Sequence, residues 1–440
     1  MLRKAHVRTG LAALISSGLL AVAMAGCGSA NGTKQGSGAA VPSGTLTIGM
    51  LGTFSGPNSY YGQSLQAGCY PAAKEINDAG GILGHKITCK LVDTRGDPAD
   101  AVPATYQMLS STSNLVAVLG PCGDVSSAVD PVLEHAKMPS ISCSGQDVFD
   151  HSSDPYFWRN LPSDGSMGWA MTAYAKQRGY TRIAMVFGND ASAQGSVPGV
   201  LQGARVLGLH VVADLTLTAG SPSYSTEVAR VIQARPQAIL TETDPQTAGT
   251  FFREMLQDGR FYPIIGTLNV MVTPYLKSVA PVFGTGRLTT ELVGMNPFTP
   301  TSQQGFKVWT EEADATKSQV PSAAFSTTLQ YNESPYDGLI VMALAMDEAH
   351  SVKGSVYNND IMRIFNGGPG ATDVSSYAQG LKLIKEGKAI RWDGSEGLQT
   401  LNQYHNTTGN FEVQAATPSL SLKVVGSVSP TYLQEVAKGT

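Results

Sequence analysis

The chain has 440 residues, of which 42% are hydrophobic and only 15% charged, and its formal net charge is -4. That apolar content excludes a mainly disordered chain, and 30 Lys+Arg against 34 Asp+Glu exclude a basic nucleic-acid-binding surface. Charge is far below the roughly 25% of ordinary soluble proteins, so Gly, Ser, Thr and Gln must cover a core large enough for two or three domains.

Arg3, Lys4 and Arg8 precede an apolar run from Leu11 to Met24, too short to cross a bilayer of ~30 Å as a helix. Residues 1–26 therefore read as an export signal. Met24-Ala25-Gly26-Cys27 resembles a bacterial lipobox, in which Cys27 becomes the lipidated N-terminus; ordinary cleavage after a small residue is the alternative. Residues 28–44 are mostly Gly, Ser, Ala, Thr and Asn with one charge, Lys34, the composition of a flexible tether. Removal of 1–26 takes away three basic groups and moves the net charge from -4 to -7. The expected location is the cell surface or periplasm, with the chain anchored to the extracytoplasmic face of a membrane. Cys69, Cys89, Cys122 and Cys143 then lie where disulfides can form. Neighbouring elements favour Cys69 with Cys89 and Cys122 with Cys143, although three pairings, or buried free thiols, are open.

From Thr45 onward short β-branched runs alternate with helical patterns. Strands are expected at Leu46 to Leu51, Lys86 to Val92, Leu115 to Leu119 and Ser140 to Cys143, with helices near 61–79, 99–111 and 126–136 between them. A second set follows Pro162: strands at Arg182 to Phe187, His210 to Leu217, Ala238 to Glu242 and Ile264 to Gly266, and helices near 166–178, 193–207, 225–234 and 246–258. Further helices are expected at 301–315, 336–350 and 374–388, before a strand-like, Gly-rich ending. Strand, helix, strand at this spacing predicts the α/β class with two doubly wound parallel-sheet lobes. In such sheets ligands bind beyond the carboxyl ends of the strands, which directs attention to 53–62, 120–127 and 142–146.

The ordered series Ser55-Gly56-Pro57, Tyr61-Gly62, Glu75-Ile76-Asn77, Gly80-Gly81-Ile82, Gly84, Ile87, Asp93, Asp97-Pro98, Ala101, Gly120-Pro121 and Pro131 resembles the type I periplasmic solute-binding proteins of the leucine/isoleucine/valine class. Arg159 with Pro162-Ser163-Asp164, Arg253 with Gly259, Tyr336-Asp337-Gly338 and Trp392-Asp393-Gly394 continue it, and the resemblance covers about 45–414. It implies two lobes joined by three hinge strands, a cleft that closes on one small solute, and delivery to an ABC permease and its ATPase by a monomer. The implied division is 45–162 plus about 292–392 for lobe 1 and 163–291 plus about 393–440 for lobe 2.

By position in that family Tyr61 and Tyr331 are the aromatic ligand contacts, and the loops of Ser144 and Gln146 offer polar groups. Several departures stand out. Asp124 takes the place of a hydroxyl residue that holds a ligand carboxylate, and Gln146 replaces another; the alternative for Asp124 is a cap on the helix near Ser126. Thr267, Leu268 and Asn269 stand where an acidic partner for an ammonium is expected, while Asp244 and Ser192 replace aromatic residues. This set suits an amine, an amide or a polyhydroxylated solute better than a simple aliphatic amino acid. Asp164 is expected to bond either ligand or hinge backbone. Neither a metal nor a cofactor is expected, the seven His being scattered. A binding protein leads over a sensor module of the same fold and over a hydrolase, for which no G-x-S-x-G elbow exists.

Overall fold

A computed structural model describes residues 43–56, 59–298, 301–320, 330–407 and 409–438. The export segment, Cys27 and nearly all of the tether lie outside these, as does the side chain of Tyr331. The first five strands are β1 (Leu46–Gly52), β2 (Ile87–Asp93), β3 (Leu115–Leu119), β4 (Ser140–Ile141) and β5 (Phe157–Trp158). They form one parallel sheet in the order β2-β1-β3-β4-β5, with α1 (Tyr60–Asp78), α2 (Pro98–Ser111) and α3 (Ser126–Ala136) as crossovers. Residue choice explains where α2 starts: Asp97 accepts from Ala99 N at 2.8 Å and Pro98 supplies the preset first turn.

The second sheet repeats the pattern. Helices α4 (Asp164–Gln177), α5 (Ala191–Leu207), α6 (Ser225–Ala234), α7 (Pro245–Gln257) and α8 (Thr273–Thr290) alternate with β6 (Arg182–Gly188), β7 (His210–Leu217), β8 (Ala238–Glu242), β9 (Ile264–Gly266) and β10 (Leu292–Pro297). Next come α9 (Gln304–Thr316), α10 (Gln330–Glu348), α11 (Gly354–Asn366) and α12 (Tyr377–Lys385), which cover the first sheet with a small sheet of β11 (Thr372–Val374), β12 (Ile390–Gly394) and β13 (Gly397–Leu398). The chain then returns as β14 (Phe411–Ala416) and β15 (Leu422–Ser427), antiparallel strands that complete the second sheet in the order β15-β14-β10-β9-β8-β6-β7, and ends in α13 (Pro430–Lys438). The positions near 292 and 393 at which the lobes were expected to exchange fall inside paired strands: β10 bonds to β9 and β14, and β12 to β11 and β13. Helices α8, α11 and α13 and strands β5, β10 and β11 had no counterpart among the expected elements.

Each lobe has its own core. In the first, Leu339 to Met346 of α10 are wholly inaccessible and pack with Ile48, Leu65, Trp309 and Trp392. In the second, α4 and α5 meet backbone to backbone: a Cβ on Gly199 would lie 2.0 Å from Gly165 O, and one on Gly203 2.0 Å from Thr172 Oγ1. Two disulfides, Cys69 with Cys89 and Cys122 with Cys143, tie α1 to β2 and the loop after β3 to the loop after β4.

Where the chain passes between lobes, the crossings are bonded together. Arg159 N donates to His405 O at 3.0 Å and Arg159 Nε to Asn406 Oδ1 at 3.0 Å. Asn160 Nδ2 donates to Ser334 O and to Glu396 Oε2, each at 2.9 Å. Asp337 accepts the amides of Ser395 and Glu396, both at 2.9 Å. The Tyr336-Asp337-Gly338 and Trp392-Asp393-Gly394 signatures are thus two halves of one structural joint.

Buried carboxyls give the fold a pH dependence. Burial, aided by Asp154 and Glu134, pushes Asp130 up to about 8, and burial pushes Glu134 and Glu75 up to about 7. These groups hold protons in the folded chain that the unfolded chain releases near pH 4. Stability is therefore fullest in acid and falls as pH rises through the folded values. Thermal unfolding followed between pH 5 and pH 8 should show a falling Tm, and Asp130→Asn should raise Tm at pH 8 by a few degrees while changing little at pH 5.

Candidate functional site

Both sheets have the same inner order, β2-β1-β3 in one and β7-β6-β8 in the other, so each has its switch point between the first strand and the third. The loops at these two points face one another. Tyr61 begins α1 after β1, and its ring lies beneath Gly123, where an added Cβ would be 3.7 Å from Cε2. Asp124 sits in the single 3-10 turn Gly123–Val125 after β3. From the second lobe come Asp190 and Ser192 after β6, and Glu242 and Asp244 at the end of β8 and beyond. Together with Asn269 they line a cavity of about 210 Å³ between the lobes.

The lobes touch through Asp124. Its Oδ1 accepts from Ser192 N at 3.0 Å, at the start of α5 in the opposite lobe. Asp190 caps the same helix, accepting from Ala193 N at 3.0 Å. Ser192 Oγ donates to Glu242 Oε1 at 3.0 Å, and Asn269 Nδ2 to the same oxygen at 2.7 Å. Burial raises the Asp124 carboxyl above the usual range, with Asp190 adding like charge and the Ser192 amide opposing the shift. Burial likewise raises Glu242; its hydrogen bond from Asn269 opposes this and Asp190 adds to it. The acidic group anticipated after Ile265-Gly266 is absent from that loop, but Glu242 supplies one from the neighbouring strand and Asn269 holds it.

Of the residues expected at the site, Tyr61, Asp124, Ser192 and Asp244 line this cavity. Asp244 has a structural bond as well: its Oδ1 accepts from Gln246 N at 2.9 Å and Thr247 N at 3.0 Å, capping α7. Ser144 and Gln146 stand behind it. Gln146 Oε1 accepts from Ser127 N at 3.2 Å in the first turn of α3, and Ser144 N donates to Ser142 Oγ at 3.1 Å. Arg159, wholly buried, fixes this loop by donating to Gln146 O at 3.0 Å and to Ser144 O at 3.4 Å. Asp164 is wedged between the lobes: a Cβ on Gly145 would fall 1.9 Å from its Oδ1, and one on Gly195 2.7 Å from its Oδ2. Its amide bonds Gly145 O at 2.7 Å. Its carboxyl is held well above the usual range by burial and Glu242, against the pull of Arg159.

Sequence reasoning missed Asp190 and Glu242. A carboxylate closing the otherwise uncharged run Ala238 to Thr241, and an Asp directly before the helix after β6, were the available signals. Among the described residues no group of three His, Cys, Asp or Glu is arranged to hold a metal ion.

The capping role of Asp244 can be tested. Asp244→Ala removes the cap and should lower stability by about 1 kcal/mol, whereas Asp244→Asn keeps an accepting oxygen and should stay near wild type in a thermal melt. A melt in which both variants behave alike would assign the loss to charge and not to capping.

Residues 45–333 match the sequence model of the periplasmic binding protein family. Leu/Ile/Val-binding protein homolog 3 of Brucella melitensis is 23% identical over 232 residues, 52% of this chain and 63% of that protein, so the chain spans less than two thirds of this relative. A leucine-binding protein from Thermotoga maritima has the same fold, with a TM-score of 0.70 at 16% identity over 88% of this chain and 99% of its own. A solute-binding protein from R. palustris in complex with benzoate gives 0.66 at 15% identity, over 88% and 97%. Such identities carry the fold alone, and the chemistry of the cavity rests on its own side chains. The matched region, well over half of the sequence, and the paired parallel-sheet lobes place the chain in the periplasmic binding protein family.

Proposed function

We propose that the chain is the substrate-binding component of an ABC uptake transporter, of the branched-chain amino acid type by family. In this reading it is exported, held at the extracytoplasmic face of the membrane through lipidated Cys27, and captures a small polar solute by closure of its lobes. The observation that carries it is the pairing of two switch points across one cavity, with Asp124 of the first lobe bonded to Ser192 of the second. A ligand that touches both lobes favours the closed arrangement by its contacts to each, and loses half of them when the lobes part. The joint built by Arg159, Asn160 and Asp337 supports the same reading, since it gives the chain a defined place about which to move. Capture and release need no catalytic step, and the permease and ATPase are the partners that this assigns.

Two measurements test it. A thermal-shift screen across amines, amino acids, amides, sugars and aromatic acids should give a hit worth about 2.7 kcal/mol at a hundredfold excess over Kd, accompanied by a smaller radius of gyration in small-angle scattering. Tight binding with no change of radius would argue against closure. In cells of the source type, Cys27→Ala should move the chain from the membrane fraction to the medium or periplasm, and retention at the membrane would refute the lipid anchor.

A further inference from the structure

The cavity between the lobes has a ligand chemistry that the family does not dictate, and the inference drawn from it rests on the binding-protein reading. Amides at helix N-termini are the ordinary holders of a ligand carboxylate. Those of α5 and α7 at this cavity are already engaged. At α5, Asp190 takes Ala193 N and Asp124 takes Ser192 N. At α7, Asp244 takes Gln246 N and Thr247 N. At α3, behind the cavity, Gln146 Oε1 takes Ser127 N.

What remains is acceptor-rich. Asp124, Asp190, Glu242 and Asp244 all line the cavity, and no Lys, Arg or His does so among the described residues. Arg159 stands apart, engaged by Asp150, Asn406 and the carbonyls of Ser144 and Gln146. Thr243, 6% exposed, lines the cavity with its Oγ1 unpartnered, and Asn269 Oδ1 there is unpartnered too. A ligand carboxylate entering this space would meet like charge from four acids and no cationic side chain, with the Thr243 hydroxyl a weak counterweight. An ammonium would meet oxygens from both lobes at once, and each of its N–H groups could be satisfied.

We propose that the cleft takes a small organic ammonium ion that carries no carboxylate, an alkylamine or short alkyl diamine, bridged between Asp124 of the first lobe and Glu242, Asp190 and Asp244 of the second. Amino acids are excluded by the same groups. Ala219, Pro245 and Val272 supply an apolar wall for a methylene stem, and Tyr61 borders the same space. Closure brings Asp124 against the acids of the other lobe, so the cation relieves the repulsion that closure creates. Ligand choice and lobe movement are then governed by one set of charges.

The test titrates the exported, disulfide-bonded protein calorimetrically with putrescine, n-butylamine, 4-aminobutyrate and leucine. Putrescine and 4-aminobutyrate share a carbon chain and differ in one terminal group, so their comparison isolates the carboxylate. Putrescine should bind about a hundredfold more tightly than 4-aminobutyrate or leucine, with n-butylamine between. Glu242→Gln and Asp124→Asn, which keep shape and an accepting oxygen, should each weaken putrescine about tenfold or more while melting near wild type. Equal affinity for 4-aminobutyrate or leucine would overturn the proposal, as would putrescine binding indifferent to both variants. An amide or sugar that binds and closes the lobes while no amine does would overturn it and leave the receptor reading standing. Lobes that answer to no amine, amino acid, amide or sugar would remove both.

Discussion

The amino end of α5 is capped from two directions, and the arrangement of the cleft follows from that. A helix leaves its first amides without internal partners, and its dipole favours negative charge there. Asp190 provides the ordinary local cap on Ala193 N, while Ser192 N is claimed by Asp124, which belongs to the other lobe. The contact between lobes is therefore a helix cap made at long range. It sets two carboxylates at one helix end, a placement that the amides favour and mutual repulsion opposes. Ser192 joins this to the third acid by giving its hydroxyl to Glu242. A change of charge at any of the three alters how firmly the lobes meet.

The opposite edge of the cleft is held by a different means. Asn160, Ser334, Glu396 and Gln399 form a largely buried polar network that ties the segment after β5 to α10 and to the turn between β12 and β13. Asp337 anchors it by gripping two successive amides. Buried networks of this kind specify geometry because each member has few alternative partners in a low dielectric. The cleft side is thus adjustable through charge, and the joint side is fixed through directional bonds.

Much of the fold was legible because its signals are local. His210 to Leu217 and Ala238 to Glu242 have the same bounds in pattern and structure, since β-branched runs between polar turns mark strands. Helix α8 was not legible. Its sequence carries two Pro, two Gly and four Thr, and Gly284 breaks it at φ 67°; burial of Tyr275, Leu276, Val279 and Phe283 outweighs those poor propensities. The site divides in the same way. Tyr61, Asp124, Ser192 and Asp244 could be located because they follow strands. Gln146 was placed in the right loop, but a sequence cannot say that its side chain turns back to α3. Glu242 was hidden because the pairing of β8 with β6 and β9, which brings its end to the cleft, is a long-range property.

The glycine contact between α4 and α5 ties the cleft and the joint together mechanically. Helix α4 leaves directly from the first crossing with Asp164 at its head, and α5 carries Ser192 at its own. With Gly165 and Gly199 backbone against backbone, the two helices have no side chain to yield or slip between them at that point. They form a stiff lever with one end at the fulcrum and the other in the jaw. In the proposed closure, rotation at the crossing would reach the Ser192 amide through this helix pair, and a methyl group at position 199 would wedge the pair apart, far from any atom that meets a solute.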